Sequence, residues 1–396
     1  MRRLLWFVMK YIYNQHSLPP LNRDCLLKLD EAAERVVQKL QALNARTLPL
    51  SDEGRQWVLN MQKESAEVMK KNLHLMAWAL YPNCDFRNIV FVDHGGAFGL
   101  VSFFAKQLGF GFVVYNDICE PLCRQAQILG ETLGLPADAY ILGELRDVCA
   151  FLNSNPRGPC ALVSVNVIEH VYDIDEFLRV CSRLSTAGVT LVLSTSANPF
   201  NPLVRRRHHR HHNQYEYEDG VQQGFVLPQS HRAFYTVRLE IIGQLAPSLP
   251  EPERRQLASA TRGLRRDAIA DCLKSYQATG KIGVEPDHPT NTCDPMTGCW
   301  EERLLDVGTV VRTLSSLGFE VKLSGGYYSG SANNATVRKV KKSAARICNH
   351  AISLMKTQGI YIAPSFTVHA SYAGLLEAAP LRLDAIRATS TQTRET

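Results

Sequence analysis

Hydrophobic positions change period along the chain, and the changes mark its parts. Over residues 22–43, Leu26, Leu27, Leu29, Ala32, Ala33, Val36, Val37 and Leu40 recur at helical spacing. A second helical stretch covers 52–80. Ser51 followed by Asp52 and Glu53 reads as its N-terminal cap, and Pro82-Asn83 ends it. From there short apolar runs alternate with helical ones. Ile89–Val92, Phe112–Tyr115, Ala139–Leu142, Ala161–Val165 and Val189–Ser194 predict strands. Residues 100–108, 120–134, 144–153 and 173–185 predict the helices that separate them. Strands and helices alternating at this spacing imply βαβ units, hence a parallel sheet covered on both faces.

The alternation stops after Thr195. Residues 200–303 are polar and rich in Pro, His and Arg, with helices expected near 251–278. It resumes with a helix at 304–317, a strand at 319–323, a helix near 334–357 and a strand at 359–363. One sheet interrupted by a long insertion explains this order. The expected partition is an N-terminal helical segment at 1–83 and the first part of an α/β domain at 84–200. A substrate-side insertion follows at 201–303, then the last part of the α/β domain at 304–370 and a tail at 371–396.

Composition narrows the class. Hydrophobic residues make up 45% and charged residues 21%, values of a globular chain rather than a disordered one. A net charge of +6 over 396 residues permits an anionic partner without requiring one. The basic residues are clustered. Arg205, Arg206, Arg207 and Arg210 alternate with His208, His209, His211 and His212, and this run reads first as a solvated loop. Arg338, Lys339, Lys341 and Lys342 read as a solvated helix face. The eleven cysteines lack zinc-ligand spacing, so they read as reduced thiols, which places the expected location in the cytoplasm. Leu4–Met9 is too short an apolar core for a signal peptide, and no run reaches the ~20 apolar residues of a membrane span. A short packing helix is expected for 1–13.

The first strand runs into Asp93-His94-Gly95-Gly96-Ala97-Phe98-Gly99. A strand that ends in glycines and then opens a helix lets the backbone approach a ligand closely. The second strand ends at Asn116-Asp117, and an acid there, about 20 residues past the glycines, typically bonds ribose hydroxyls. A dinucleotide-binding enzyme satisfies the same pattern.

Further residues separate the two. Asp93, Gly95, Ala97 and Gly99 fit the first motif of the class I S-adenosylmethionine-dependent methyltransferases, with Ala97 at the usual middle glycine. Ser164-Val165-Asn166-Val167-Ile168-Glu169-His170-Val171 closely resembles the Ile-Glu-His-Val segment of the quinone-biosynthesis O-methyltransferases. Ser194-Thr195-Ser196-Ala197-Asn198-Pro199 is similar to the Ser-Thr-Pro-Asn turn of that group. The resemblance covers 86–202 and, more faintly, 300–370. It implies a Rossmann-like α/β fold with a seven-stranded, mostly parallel sheet whose last strand is antiparallel. It implies S-adenosyl-L-methionine as cofactor, bound by Asp93, Gly95, Gly96, Gly99, Asp117, Glu144 and Asn166. Asp93 would position the amino end, Asp117 the ribose, and Glu144 would lie beside the adenine.

His170 and Glu169 are the candidate catalytic residues, at the carboxyl end of the fourth strand where ligands of open α/β sheets bind. The competing reading makes them a loop-holding pair. Some relatives bind a divalent cation through Glu-x-x-Glu-His; here Asn166 replaces the first Glu, and no metal is expected. Asn291–Trp300 reads as a lid loop, and Gly325-Gly326-Tyr327-Tyr328 as a lining of the acceptor pocket. The reading is a methyltransferase acting on an oxygen or nitrogen of a small-molecule or glycan-like acceptor. An RNA 2′-O-methyltransferase and a catalytically silent binding module are the alternatives.

Overall fold

The strand runs pair into a single sheet in the computed structural model, which describes residues 9–12, 18–81, 85–220, 231–286, 288–329 and 335–372. Its strands are β1 (Val90–His94), β2 (Phe112–Asp117), β3 (Ala139–Leu142), β4 (Cys160–Val165), β5 (Val189–Thr195), β6 (Phe319–Gly325) and β7 (Phe366–Tyr372). They lie in the order β3-β2-β1-β4-β5-β7-β6. All pairings are parallel except those of β7, which runs antiparallel to both β5 and β6. The chain winds outward from β1 through β2 and β3, then returns to β1's other side with β4. That reversal opens a crevice at the carboxyl ends of β1 and β4.

Side chains alternate across the sheet and build two cores. Phe91, Val113, Ala161, Val163 and Val192 face α1 (Arg23–Ala42), α2 (Asp52–Leu80), α3 (Leu100–Leu108) and α4 (Glu120–Leu133). Val92, Val114, Leu162, Leu191 and Leu193 face α5 (Leu145–Ser154), α6 (Ile174–Cys181) and α11 (Val307–Ser316). Helix α2 is capped as read, Ser51 Oγ accepting from Gly54 N, and α1 is capped by Asn22, whose Oδ1 accepts from Cys25 N.

The insertion departs from expectation. It forms α7 (Pro202–Tyr217), α8 (Phe234–Leu245), α9 (Glu251–Ala260) and α10 (Arg266–Thr279). The His/Arg run is therefore helix α7, not a loop. Asn201 caps it by accepting from Leu203 N, and Pro202 occupies its first turn. Val204, His208, His212 and Tyr215 fall on one face and are buried, while Arg205, Arg206, Arg207 and Arg210 point outward. Two histidines thus take core positions that an apolar pattern cannot reveal. Burial pushes the pKa of His208 down to about 4 and that of His212 down to about 3.

The last strand lies later than predicted. Residues 356–361 form a 3-10 helix, and the strand is Phe366–Tyr372, after α12 (Ala335–Met355). Its alternate positions Thr367, His369 and Ser371 are polar and buried, which hid it from a hydrophobic count. Residues 1–8 and the tail from 373 lie outside the described residues. The ten described cysteines are free. Among the described residues, no helix is long and apolar enough to cross a membrane.

Inside the insertion, Arg238 and Glu216 are both buried and paired. Arg238 Nε also donates to Ala258 O (2.9 Å), and Thr292 Oγ1 donates to Glu216 Oε2 (2.7 Å). One charge pair thereby ties α7, α8, α9 and the segment at 292. Removing Arg238 leaves the buried Glu216 carboxylate, among the described residues, with only the longer 4.0 Å ion pair to Arg262. Arg238→Met is expected to cost about 3–5 kcal/mol in urea denaturation, and Arg238→Met with Glu216→Leu to recover most of it.

Candidate functional site

The turn after β1 alternates into left-handed backbone, with φ of 65° at Gly95, 47° at Ala97 and 84° at Gly99. Glycine takes such values freely; alanine does so against steric cost. Ala97 is held there from both sides. Asp117 Oδ2 accepts from Ala97 N (3.0 Å), and the Tyr115 hydroxyl donates to Ala97 O (2.5 Å). Asp117 Oδ1 accepts from Cys119 N (2.9 Å), and Gly96 N donates to Asn116 O (3.0 Å). A Cβ at Gly95 would stand 2.3 Å from Val167 Cγ2, and one at Gly96 2.6 Å from the Tyr115 ring. The glycines are required by packing as well as by any ligand.

Asp93 is buried, and its Oδ2 accepts from Ser102 N (2.9 Å) and Ser102 Oγ (2.7 Å), fixing the first turn of α3. Burial pushes its pKa up to about 7 against those two bonds. Asn116, read from the sequence only as part of the end of the second strand, has a role of its own. Its Nδ2 donates to Ile141 O and Gly143 O (both 2.9 Å), and its Oδ1 faces His94 Nδ1 at 2.7 Å. It ties the ends of β1, β2 and β3 together. An amide inside the apolar run before Asp117 was the available signal.

Asp93, Gly95, Gly96, Gly99 and Asp117 thus converge at one end of β1 and β2. Glu144 follows β3, where it forms a capping box with Asp147 at α5 and pairs with Arg146 (2.8 Å). Asn166 follows β4 at φ 55°, and its Oδ1 accepts from Ser196 N (2.9 Å), joining the ends of β4 and β5.

Glu169 and His170 lie just past Asn166 under the segment 291–303. Trp300 N donates to His170 O, Arg303 N to Glu169 O (both 3.2 Å), and Trp300 Nε1 to Tyr172 O (3.2 Å). His170 Nδ1 lies 2.8 Å from Trp300 O and so carries its proton there. Both Glu169 oxygens are buried without a hydrogen-bond partner among the described residues. Burial pushes the Glu169 pKa up to about 7. For His170 burial opposes the charge, but the Cys299 sulfur and the Glu169 carboxylate outweigh it and raise the pKa to about 10. The predicted lid loop covers this pair. Gly325 and Tyr327 line a different cleft, beside Trp78. Among the described residues, no group of three His, Cys, Asp or Glu is placed to hold a metal ion.

The backbone of the turn sets a stability prediction. Gly99→Ala puts a Cβ 2.9 Å from the Phe103 ring at φ 84° and is expected to cost about 1–3 kcal/mol in thermal unfolding. Ala97→Gly, which relieves strain but loosens the unfolded chain, is expected to change stability by less than about 1 kcal/mol.

No family model matches the chain, and no curated protein matches it in sequence. Solved structures similar to it include an S-adenosylmethionine-dependent methyltransferase from Mesorhizobium loti (13% identity, 75% of this chain and 99% of that one, TM-score 0.32). A magnesium protoporphyrin IX methyltransferase from Synechocystis PCC 6803 shares 13% identity over 77% of this chain and 87% of its own, with TM-score 0.31. A mycolic acid cyclopropane synthase shares 14% over 86% and 94%, with TM-score 0.34. Likenesses this distant add nothing to what the chain's own strand order establishes. That order, with β7 alone reversed, gives the chain a Rossmann-like α/β fold with a seven-stranded, mostly parallel sheet and helices on both faces.

Proposed function

We propose that this chain binds S-adenosyl-L-methionine and transfers its methyl group to an oxygen or nitrogen of a small-molecule or glycan-like acceptor. One observation carries the reading: the Asp117 carboxylate closes the turn 95–99 at the point where the sheet reverses its winding. The residues fit the cofactor. Each Asp117 oxygen spends one acceptor site on a backbone N–H, and an ionised carboxylate has about four, so acceptors remain for ribose hydroxyls. Gly95 and Gly96 offer backbone without side chains, and Gly99 opens α3 in the left-handed conformation. Asp93 orients the first turn of α3 beneath them, Glu144 stands past β3 for the adenine side, and Asn166 fixes the β4 end. When bound, the cofactor supplies an activated methyl group on a sulfonium.

What the protein adds is orientation and removal of the acceptor's proton. His170 is the base in this reading. Trp300 O holds its Nδ1–H, which leaves Nε2 to take the proton. A base works only in its unprotonated form, and the raised pKa keeps His170 protonated at neutral pH. Transfer is therefore expected to accelerate as pH rises from 7 toward about 10. His170→Gln should lower the rate by about 10²–10⁴-fold and flatten that rise. A pH–rate profile with no limb above neutrality removes His170 from the role.

The outward arginines of α7 favour a second reading, an RNA 2′-O-methyltransferase. RNA binding that falls steeply as salt rises would select it.

The test of the main reading is calorimetric titration with S-adenosylhomocysteine, followed by a labelled methyl donor in a metabolite extract to identify the acceptor. Asp117→Ala removes an acceptor of charge-assisted bonds, and affinity is expected to drop by about tenfold or more. Unchanged affinity in Asp117→Ala, or preferential binding of a nicotinamide dinucleotide, overturns it.

A further inference from the structure

A cleft of about 620 Å³ opens at the outer edge of the sheet, between the C-terminal half of α2, strand β6 and α12. That volume suits a small organic ligand, for which about 300–1,000 Å³ is usual. Its walls are built for one that is part apolar and part anionic. Leu18, Pro19, Trp78, Tyr327 and Ile352 supply apolar and aromatic surface. The exposed residues at its mouth include Lys322 and Lys356. Lys322 spends part of its charge on Glu320 at 2.9 Å. Lys356 has no ion pair among the described residues and sits at φ 51°, a strained backbone for a non-glycine residue.

The sheet face beside it is polar where a covered face is ordinarily apolar. Thr190, Ser194, Thr367, His369 and Ser371 stand on the side of β5 and β7 that α2 covers, Lys322 and Ser324 continue that face on β6, and of these His369, Lys322 and Ser324 line the cleft. Ser324 Oγ and His369 Nε2 are 2.7 Å apart, and the His369 ring stacks on Trp78 with centroids 4.1 Å apart. His369 Nδ1 is buried with no hydrogen-bond partner among the described residues. The tautomer in which His369 Nε2–H donates to Ser324 Oγ leaves the serine hydroxyl to donate into the cleft.

We propose that this cleft binds a small amphipathic carboxylate, its head meeting Ser324, Lys322 and Lys356 and its apolar body lying on Trp78, Leu18 and Pro19. β6 is four strand spacings from β1, about 19 Å. A ligand held here is not held by an atom reacting at the glycine turn, so the site is separate from the one described above and does not depend on the methyltransferase reading.

Calorimetric titration of the full chain with decanoate, below its micelle concentration, and with decyltrimethylammonium tests this. Decanoate is expected to saturate a single site, and the cation of equal chain length to bind about tenfold more weakly or worse. Lys356→Glu, an exposed change that leaves the core intact, is expected to weaken decanoate by about tenfold. Ser324→Val should weaken it as well. Equal binding of both amphiphiles, decanoate binding unaffected by Lys356→Glu, or no saturation below about 1 mM overturns the proposal. S-adenosylhomocysteine titrated into the same variants reports on the glycine turn separately, so failure at one site is distinguishable from failure at the other.

Discussion

A single carboxylate joins two strand ends in this protein, and the crevice takes its shape from that bond. Asp117 leaves β2 and reaches across to the N–H of Ala97 in the turn that follows β1. Bonds from charged acceptors contribute about 1.5–3 kcal/mol each, enough to hold an alanine in left-handed backbone. Tyr115 secures the same residue from its carbonyl side, and Asn116 extends the tie to β3. Three successive residues at the end of β2 thus set the mouth of three strands. Asp93 performs the matching task on the far side by fixing the start of α3.

Buried polar groups do similar work elsewhere. The insertion has only a small apolar core, centred on Ile241, Ile242, Leu257 and Ile269. Its helices are held together by the Arg238–Glu216 pair and by His212, which burial keeps neutral. His212 Nε2 bonds Glu302 O at 2.9 Å, and His211 pairs with Glu301 at 2.8 Å. The segment so anchored is the one whose backbone closes over Glu169 and His170. The histidines of α7 therefore act on the β4 end through residues 300–303. Helix α2 touches both sites: Trp57 stacks on Phe98 of the glycine turn, and Trp78 stacks on His369 at the edge cleft.

The sheet was legible because most of its strands are apolar and its connections short. β1 to β6, and the helices between β1 and β5, follow from alternation alone, and the turn with its acid was visible from Gly95, Gly99 and Asp117. What escaped was the part built on polar residues. β7 hid behind Thr367, His369 and Ser371, and α7 behind histidines that occupy core positions. Asn116 hid because an isolated amide gives no periodic signal. The grouping of Glu169 with residues 300–303 is a contact more than a hundred positions distant in sequence, which no local pattern encodes. The edge cleft belongs to the same class, since it joins residues near 20, 78, 323, 356 and 369.

Hydrogen–deuterium exchange with and without S-adenosylhomocysteine tests the central claim most directly, because it reports where a ligand protects the backbone. Slowed exchange is expected at the amides of 94–99, at 117–119 and around 143–145, with little change in β6 and β7. Protection absent from 94–99 and 117–119 while the compound is bound would contradict the assignment of that crevice to an adenosyl group.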